Sequence, residues 1–318
     1  MKTRGEFGFI EFIKRHFPDS EGVVGIGDDC AVLPAGEGEL LFSTDLLMEG
    51  VHFLREESSP EDVGWKAGAV NISDIAAMGG TPVASFLSVA LPKDAQGEWA
   101  ERFVDGFAQV SQLYGVSLLG GDTTSSLRDI AVNVGIMGRC HTGRRGMRSG
   151  AKVGETIYVT GPLGDSAGGL QAILQGVDRT DDVKVLIERH KRPIPRVKEG
   201  KLLIDSGLVG AMMDISDGIA SDLRHIMRAS GVGAVIALDM IPCSSELASV
   251  CHEHGWDKYR LASSGGEDFE LLVTGTENLD KILDIKLLPI GKVVVGSDLT
   301  WTIEGKSVDL EYNGYEHF

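Results

Sequence analysis

The order of the apolar segments along the chain constrains its fold more than any other feature. Short runs of β type, such as Leu40–Phe42 and Phe86–Leu91, alternate with longer stretches whose apolar residues repeat at helical spacing. The alternation starts again at Thr156–Thr160 and continues towards the C-terminus. Strands that alternate with helices are typical of α/β or α+β layers, so the pattern argues against an all-helical or an all-β chain.

Local signals predict the bounds of several of these elements. An apolar stripe at helical spacing predicts a helix over residues 6–17. Ser59-Pro60-Glu61-Asp62 predicts the start of another helix, because it combines a cap, a first-turn proline and acids. The strand at Leu40–Phe42 leads into Ser43-Thr44-Asp45, and a buried strand over Val116–Leu119 is expected to end at the glycines before Asp122.

A basic, glycine-rich segment without apolar periodicity lies between the two series of strands and helices. It covers residues 141–152 and contains Arg144, Arg145 and Arg148. A chain of 318 residues is long enough for two domains. We therefore predict an N-terminal domain over residues 1–142 and a C-terminal domain over residues 143–318. Arg144 and Arg145 fit a solvated linker best, although positive charge in an acidic chain also suits a nucleotide phosphate.

The charge balance narrows the class of partner. The chain carries 47 acidic and 30 basic residues, a net charge of −17, which argues against nucleic acid or an anionic membrane as the main partner. No apolar run approaches the length of a membrane span, and the four cysteines form no Cys-x-x-Cys pair. We expect a cytoplasmic protein with reduced cysteines. A zinc site at Cys251, His252 and His254 is disfavoured, because a second pair of ligands at zinc spacing is missing.

The segment Gly25–Ala31 combines two glycines with the adjacent carboxylates of Asp28 and Asp29. Backbone N–H groups in a glycine turn suit a phosphate, whereas two carboxylates repel it. A divalent cation between them resolves the conflict, because Mg²⁺ is commonly held by carboxylates while it bridges to phosphates. Taken alone, the segment is explained equally well as a polar surface turn.

Further acids occur in the same setting, beside a glycine or at the end of an inferred strand or helix. Each one alone is explained as a turn or cap residue; Asp217 before Gly218, for example, suits the start of a helix. Together with nearby hydroxyls they form an oxygen-only ligand set, which favours Mg²⁺ or Mn²⁺ and indicates phosphoryl transfer with ATP. The acids are Asp28, Asp29, Asp45, Asp74, Asp122, Asp214, Asp217, Glu267 and Asp268, and the hydroxyls are those of Ser43, Thr44, Thr123 and Ser216.

The common nucleotide-binding signatures are missing from the sequence. Gly305-Lys306-Ser307 lacks the upstream glycine of a P-loop, and no His-Arg-Asp catalytic loop occurs. Gly25-Ile26-Gly27 leads to Cys30 where a dinucleotide fingerprint needs glycine. The acids therefore have to belong to another class of ATP-dependent protein.

Ten segments, in the right order along essentially the whole chain, resemble the thiamine-monophosphate kinase family of the aminoimidazole-ribonucleotide-synthetase-like superfamily. They are Gly25–Ala31, Ser43–Asp45, Glu49–Phe53, Ala69–Gly79, Gly120–Thr124, Arg148–Lys152, Val159–Ala167, Asp214–Gly218, Ser264–Leu271 and Gly314–Phe318. The resemblance implies a two-domain α/β protein whose N-terminal sheet pairs with that of a second subunit into a barrel. It implies a homodimer with ATP in the cleft between the halves.

The resemblance also implies the roles of individual residues. The implied metal ligands, for several Mg²⁺ ions, are Asp29, Ser43, Thr44, Asp45, Asp74, Asp122, Asp214 and Asp217, of which Asp45, Asp122 and Asp217 are the implied catalytic residues. The implied nucleotide contacts are Gly121, Asp122, Arg148 and Ser216, and the implied substrate contacts are His52, Glu267 and Tyr315. A carboxylate and an aromatic ring both suit the cationic ring of thiamine.

The expected reaction is ATP-dependent conversion of thiamine monophosphate to thiamine diphosphate, the last step in making that compound. The acceptor oxygen is already ionised near neutral pH, so we expect direct in-line transfer without a strong general base and without a phosphoenzyme. Two alternatives stay open. One is another ATP-dependent enzyme of the superfamily, although Cys30 follows the acids and the chain ends in Phe318, where rivals need a reactive cysteine. The other is a non-catalytic protein that binds Mg-nucleotide.

Overall fold

The structure is a computed structural model that describes residues 23–36, 38–141 and 143–308. The expected N-terminal helix over residues 6–17 and the implied substrate contact Tyr315 lie outside these ranges. Within them the expected mixed α/β layers are confirmed as two sheets flanked by helices. No helix in the described part of the chain is long and apolar enough to cross a bilayer.

The first sheet is built from residues 31–141 and has five strands in the order β1-β2-β5-β3-β4. The strands are β1 (Ala31–Ala35), β2 (Gly38–Met48), β3 (Thr81–Leu91), β4 (Ser117–Ser125) and β5 (Ala131–His141). Helices α1 (Pro60–Ala77) and α2 (Glu98–Tyr114) cover one face. On β2 the side chains alternate, so that Leu41 and Leu47 are buried against the helices while Phe42 and Leu46 face outward.

The second sheet is built from residues 156–308 and has seven strands in the order β12-β11-β8-β10-β6-β9-β7. The strands are β6 (Thr156–Val159), β7 (Val209–Asp214), β8 (Gly233–Ala237), β9 (Leu271–Gly275), β10 (Leu288–Val294), β11 (Leu299–Ile303) and β12 (Lys306–Val308). The helices are α3 (Asp165–Gln175), α4 (Asp181–Lys191), α5 (Val197–Ser206), α6 (Ile219–Ser230), α7 (Ser245–His254), α8 (Lys258–Ser264) and α9 (Leu279–Leu283). The predicted boundary at 142/143 lies between the two sheets, and its position stays a prediction.

Helix α1 connects the two halves. It begins as the sequence predicts, with Ser59 and Asp62 forming a reciprocal capping box. A Cβ at Gly64 would lie 2.0 Å from the carbonyl oxygen of Phe103, so the glycine permits close packing of α1 on α2. On its other side the helix reaches the second half, where the Trp65 ring nitrogen donates to the carbonyl of Pro193 at 2.9 Å.

Two polar segments that the sequence places at strand ends lie inside strands. Ser43, Thr44 and Asp45 belong to β2, and the glycine pair with Asp122 belongs to β4. A Cβ at Gly121 would lie 1.7 Å from the carbonyl oxygen of Leu87 on β3, so the glycine allows the two strands to approach. The expected end of the strand at Leu119 is therefore wrong.

Candidate active site

A cleft of about 950 Å³ lies between the two halves and contains most of the predicted site residues. Its polar lining comes from both halves. The first half contributes Thr44, Asp45, His52, Lys66 and Asp74, and the second contributes Ser166, His190, Asp214, Ser216, Asp217 and Glu267. Val51, Leu54, Leu170 and Leu174 add an apolar wall to the cleft. The cleft thus offers both acids and an apolar surface.

Serine hydroxyls orient two of the carboxylates. Ser43 on β2 donates to Asp74 on α1. Ser73, also on α1, donates to Asp214 at the end of β7, with 2.5 Å between Oγ and Oδ2. Because Asp74 and Asp214 belong to different halves, α1 brings them together with its neighbouring residues Ser73 and Asp74.

Two asparagines hold the backbone beside Asp45. Asn71 on α1 accepts from the Asp45 N–H at 3.2 Å, and Asn133 on β5 donates to the Asp45 carbonyl at 3.0 Å. Asn133 also donates to the Thr44 hydroxyl at 2.9 Å. Because side chains alternate along a strand, those of Thr44 and Asp45 lie on opposite faces of the sheet. Neither asparagine is among the site residues predicted from the sequence.

Burial raises the pKa values of Asp45, Asp74 and Asp214, which line the cleft. It raises the pKa of Asp45 to about 6. Burial, with the neighbouring charge of Asp29, raises the pKa of Asp214 to about 7. Burial, with the charges of Asp45 and Asp214, raises the pKa of Asp74 well above its usual range. Like charges in a region of low polarity repel one another, so this group of acids favours a cation.

Asp29 supplies a further oxygen to this group of acids, and it has a cationic neighbour. The Arg148 guanidinium contacts one oxygen of Asp29 at 2.5 and 3.1 Å, and the Arg148 N–H donates to Asp28 at 2.8 Å. The other Asp29 oxygen is buried and has no hydrogen-bond partner among the residues that the structure describes. Such an oxygen fits a metal ligand, although no three acids, histidines or cysteines among the described residues already surround one point. Arg148, the implied nucleotide contact, is engaged with Asp29 in this arrangement.

Asp217 lies two residues before α6, and its backbone contacts Asp222 in the first turn of that helix, a residue that is not among those predicted from the sequence. The Asp217 N–H donates to Asp222 at 3.1 Å, and the second oxygen of Asp222 is buried without a hydrogen-bond partner in the described part of the chain. Burial, with the charge of Asp217, raises the pKa of Asp222 well above its usual range. The available sequence signal was the position of Asp222 in the first turn of α6, where an acid commonly interacts with backbone N–H groups at the helix start.

Another part of the cleft contains an ion pair between the halves. Lys66 on α1 contacts Glu267 at 2.8 Å, and His190 on α4 lies 3.3 Å from the same oxygen. His52 accepts from the Met48 N–H at 3.0 Å through Nδ1. His52 and Glu267 are thus brought into one cleft, whereas Lys66 and His190 were missed.

Gly121 and Asp122 lie away from the cleft. Register places Leu46, Asn133, Ser88 and Asp122 in one row across the first sheet. Three strand spacings separate Asp122 from β2, roughly 14 Å. Asp122 lies on the outward face, where the exposed side chain of Phe86 also lies. Within one chain the structure does not bring Asp122 to the other predicted ligands.

Family models match both halves of the chain. The model described as AIR synthase related protein, N-terminal domain, matches residues 27–140, and that of the C-terminal domain matches residues 152–299. Among curated proteins, the thiamine-monophosphate kinase of Escherichia coli K12 is 43% identical, over 93% of this chain and 92% of that protein. The thiamine-monophosphate kinase of Aquifex aeolicus is 37% identical, over 100% and 99%.

Solved structures also match the chain over nearly its whole length. A structure described as AaThiL complexed with AMPPCP and TMP is 36% identical, with a TM-score of 0.89, and the match covers 99% of this chain and 97% of that one. The hydrogenase maturation protein HypE of E. coli is 19% identical, with a TM-score of 0.70 over 96% of each chain. At that identity HypE shows a shared fold alone.

Proposed function

Because the chain belongs to the thiamine-monophosphate kinase family of AIR synthase related proteins, we propose that it phosphorylates thiamine monophosphate with ATP, giving thiamine diphosphate and ADP. The observation that carries the proposal is the acidic cleft between the halves, in a chain that matches AaThiL complexed with AMPPCP and TMP with a TM-score of 0.89. The acids suit a nucleotide with its metal ions, and the apolar wall suits the rings of the acceptor.

Mg²⁺ ions are part of the proposal, and the acids of the cleft fit them. Asp29, Asp45, Asp74, Asp214 and Asp217, with Ser43 and Thr44, are the residues that would hold several ions. When bound, the ions offset the charge of the phosphate groups and of the carboxylates. Hydrogen bonds orient two of the carboxylates before ions bind, because Ser43 donates to Asp74 and Ser73 donates to Asp214.

Positioning is the main task of the protein in this reaction. The acceptor is a phosphate oxygen that is ionised near neutral pH, so no side chain has to remove a proton from it. The hydroxyls of Ser43 and Ser73 donate to carboxylates and are not available as nucleophiles. We therefore expect direct transfer between two substrates held in line, without a phosphoenzyme.

We extend the proposal to a homodimer in the cytoplasm. The outward face of the first sheet exposes large apolar side chains, among them Phe42, Leu46 and Phe86. Exposed apolar patches of this kind mark interaction surfaces. Gly121 and Asp122 lie on the same sheet, so we place them, as the implied nucleotide and metal contacts, at a site shared by two protomers. Asp45, Asp122 and Asp217 stay the proposed catalytic residues.

Release of ADP in the presence of Mg²⁺ tests the proposal. We expect release with thiamine monophosphate, and only background release with thiamine or without acceptor. Asp45→Asn should abolish turnover, whereas Asp205→Asn, at a surface pair with Lys201, should not change it. Equal turnover with thiamine would overturn the choice of acceptor, and ATP binding without any turnover would favour the non-catalytic alternative.

A further inference from the structure

The ion pair between Lys66 and Glu267 differs in the exposure of its two partners. The Lys66 side chain is 4% exposed, whereas that of Glu267 is 27% exposed. Lys66 Nζ contacts Glu267 Oε2 at 2.8 Å and also donates to the His52 carbonyl at 3.1 Å. A molecule in the cleft can therefore reach Glu267, with Lys66 lying behind it.

The backbone around Glu267 is held in an uncommon conformation. Glu267 has a φ of 63° and Phe269 a φ of 51°, values that side chains other than glycine rarely adopt. The Glu267 N–H donates to the Ser216 carbonyl at 2.7 Å, and the Phe269 N–H donates to the Ile215 carbonyl at 3.0 Å. Such conformations persist where surrounding contacts impose them, and they concentrate at functional sites.

His190 completes the surroundings of Glu267 without adding charge. Its Nδ1 lies 3.3 Å from Glu267 Oε2 and 3.0 Å from the hydroxyl of Ser166. Burial, with the charge of Lys66, lowers the pKa of His190 to about 3, so the ring is neutral at pH 7. Burial raises the pKa of Glu267, but Lys66 together with the neighbouring histidines, His190 and His52, outweighs burial, so the pKa is lowered. Lys66 is the ammonium in direct contact with the carboxylate.

One face of α1 relates this group to the acids of the cleft. Lys66, Val70 and Asp74 follow one another at intervals of four residues and all line the cleft. Two helical turns separate Lys66 from Asp74, about 12 Å along the axis. Thiamine monophosphate carries a cationic ring at one end and a phosphate at the other, so Asp74 and Glu267, which Lys66 contacts, mark the two regions that such a molecule would occupy.

We propose that Lys66 is a positioning residue, which holds Oε2 of Glu267 so that the remaining oxygen faces the cleft and pairs with the cationic ring of thiamine monophosphate. The proposal rests on the proposed function for the identity of the ligand. Lys66 does not contact the ligand; it acts through Glu267, across the boundary between the halves. Its effect is therefore specific to the acceptor and depends on the Glu267 carboxylate.

The test combines Lys66→Met, Glu267→Gln and the double variant, with Lys201→Met as the matched control at a surface ion pair. We expect Lys66→Met to raise KM for thiamine monophosphate about tenfold, while kcat and KM for ATP change less than about threefold. In the Glu267→Gln background, Lys66→Met should have no further effect. The control should match the unaltered protein.

Three results would overturn the proposal: an unchanged KM in Lys66→Met, an equal rise of KM for ATP, or the full effect of Lys66→Met in the Glu267→Gln background. If Lys66→Met does not fold, the double variant, which retains no unpaired charge, is compared with Glu267→Gln. Equal KM values then support the proposal, and a higher KM in the double variant contradicts it.

Calorimetric titration with thiamine monophosphate in the absence of ATP separates this proposal from the proposed function. Absence of turnover by the unaltered protein refutes the proposed function alone, provided that the ligand binds. Binding that weakens about tenfold in Lys66→Met, but not in Lys201→Met, supports the role of Lys66 in either case. A ligand that does not bind the unaltered protein refutes both.

Discussion

The hydrogen bond between Ser73 and Asp214 gives a prediction with a built-in control. Ser73 is fully buried and donates to Asp214 Oδ2 at 2.5 Å across the boundary between the halves. Ser85 is 1% exposed, and within residues 23–36, 38–141 and 143–308 its hydroxyl has no hydrogen-bond partner. Ser73→Ala and Ser85→Ala therefore remove the same atom from two buried sites that differ in hydrogen bonding.

The two substitutions should change the free energy of unfolding by clearly different amounts. A hydrogen bond to a charged group contributes about 1.5–3 kcal/mol, so Ser73→Ala should lose an amount in that range. Ser85→Ala removes a buried hydroxyl without a bond and should be neutral or slightly stabilising, within about 0.5 kcal/mol. Because burial, with the charge of Asp29, raises the pKa of Asp214 to about 7, the comparison belongs at pH 8, where the carboxylate is ionised.

Urea unfolding followed by tryptophan fluorescence, in the presence of EDTA, measures both values. EDTA removes any contribution of bound cations, which would otherwise mask the loss of orientation at Asp214. Equal losses in the two variants, or no loss in Ser73→Ala, would refute the assignment of Ser73 as the residue that holds Asp214.

Three further predictions concern stability and turnover. In EDTA, the free energy of unfolding should fall by on the order of 1–2 kcal/mol between pH 6.5 and 8. Burial raises the pKa of Asp214 and Asp268 to about 7, so at pH 6.5 the folded state holds protons that the unfolded state has lost. A free energy of unfolding that rises with pH in urea titrations would contradict this. Gly64→Ala should lower the free energy of unfolding by about 1–3 kcal/mol, since the new Cβ meets the Phe103 carbonyl; an unchanged urea midpoint would show that the helices are not in close contact. Asp45→Asn should abolish ADP release and leave the circular dichroism spectrum unchanged, whereas near-normal activity would remove Asp45 from the ligand set.

Local signals in the sequence were sufficient for several elements. The start of α1 follows from Ser59, Pro60 and Asp62, because a cap, a first-turn proline and a reciprocal acid act within four residues. Asp214 follows the apolar residues of β7, so its place at the end of a buried strand could also be predicted. In both cases the determining interactions lie between neighbours in the chain.

Interactions between distant residues could not be derived in this way. Lys66 and Glu267 are 201 residues apart, and nothing near either residue indicates the other. Arg148 was implied as a nucleotide contact, but its partner in the structure is Asp29, 119 residues earlier. Such pairs depend on how α1 packs between the halves, which is a property of the folded chain.

The strand that carries Asp122 shows a different limit to what can be predicted from the sequence. Two adjacent glycines normally indicate a loop, and β4 was therefore expected to end before them. In the structure the strand continues through Gly121, and the backbone of Leu87 lies so close to it that a side chain would not fit there. Only the neighbouring strand explains this glycine, and the outward position of Asp122 follows from its register with Ser88.

The most direct measurement of the central claim follows the γ-phosphoryl group itself. A single turnover with [γ-³²P]ATP, Mg²⁺ and thiamine monophosphate should place the label in the terminal phosphate of thiamine diphosphate, with none on the protein at any quenched time. Label retained on the protein, in inorganic phosphate or on thiamine offered in its place would contradict direct transfer to a phosphate acceptor in the cleft between the halves.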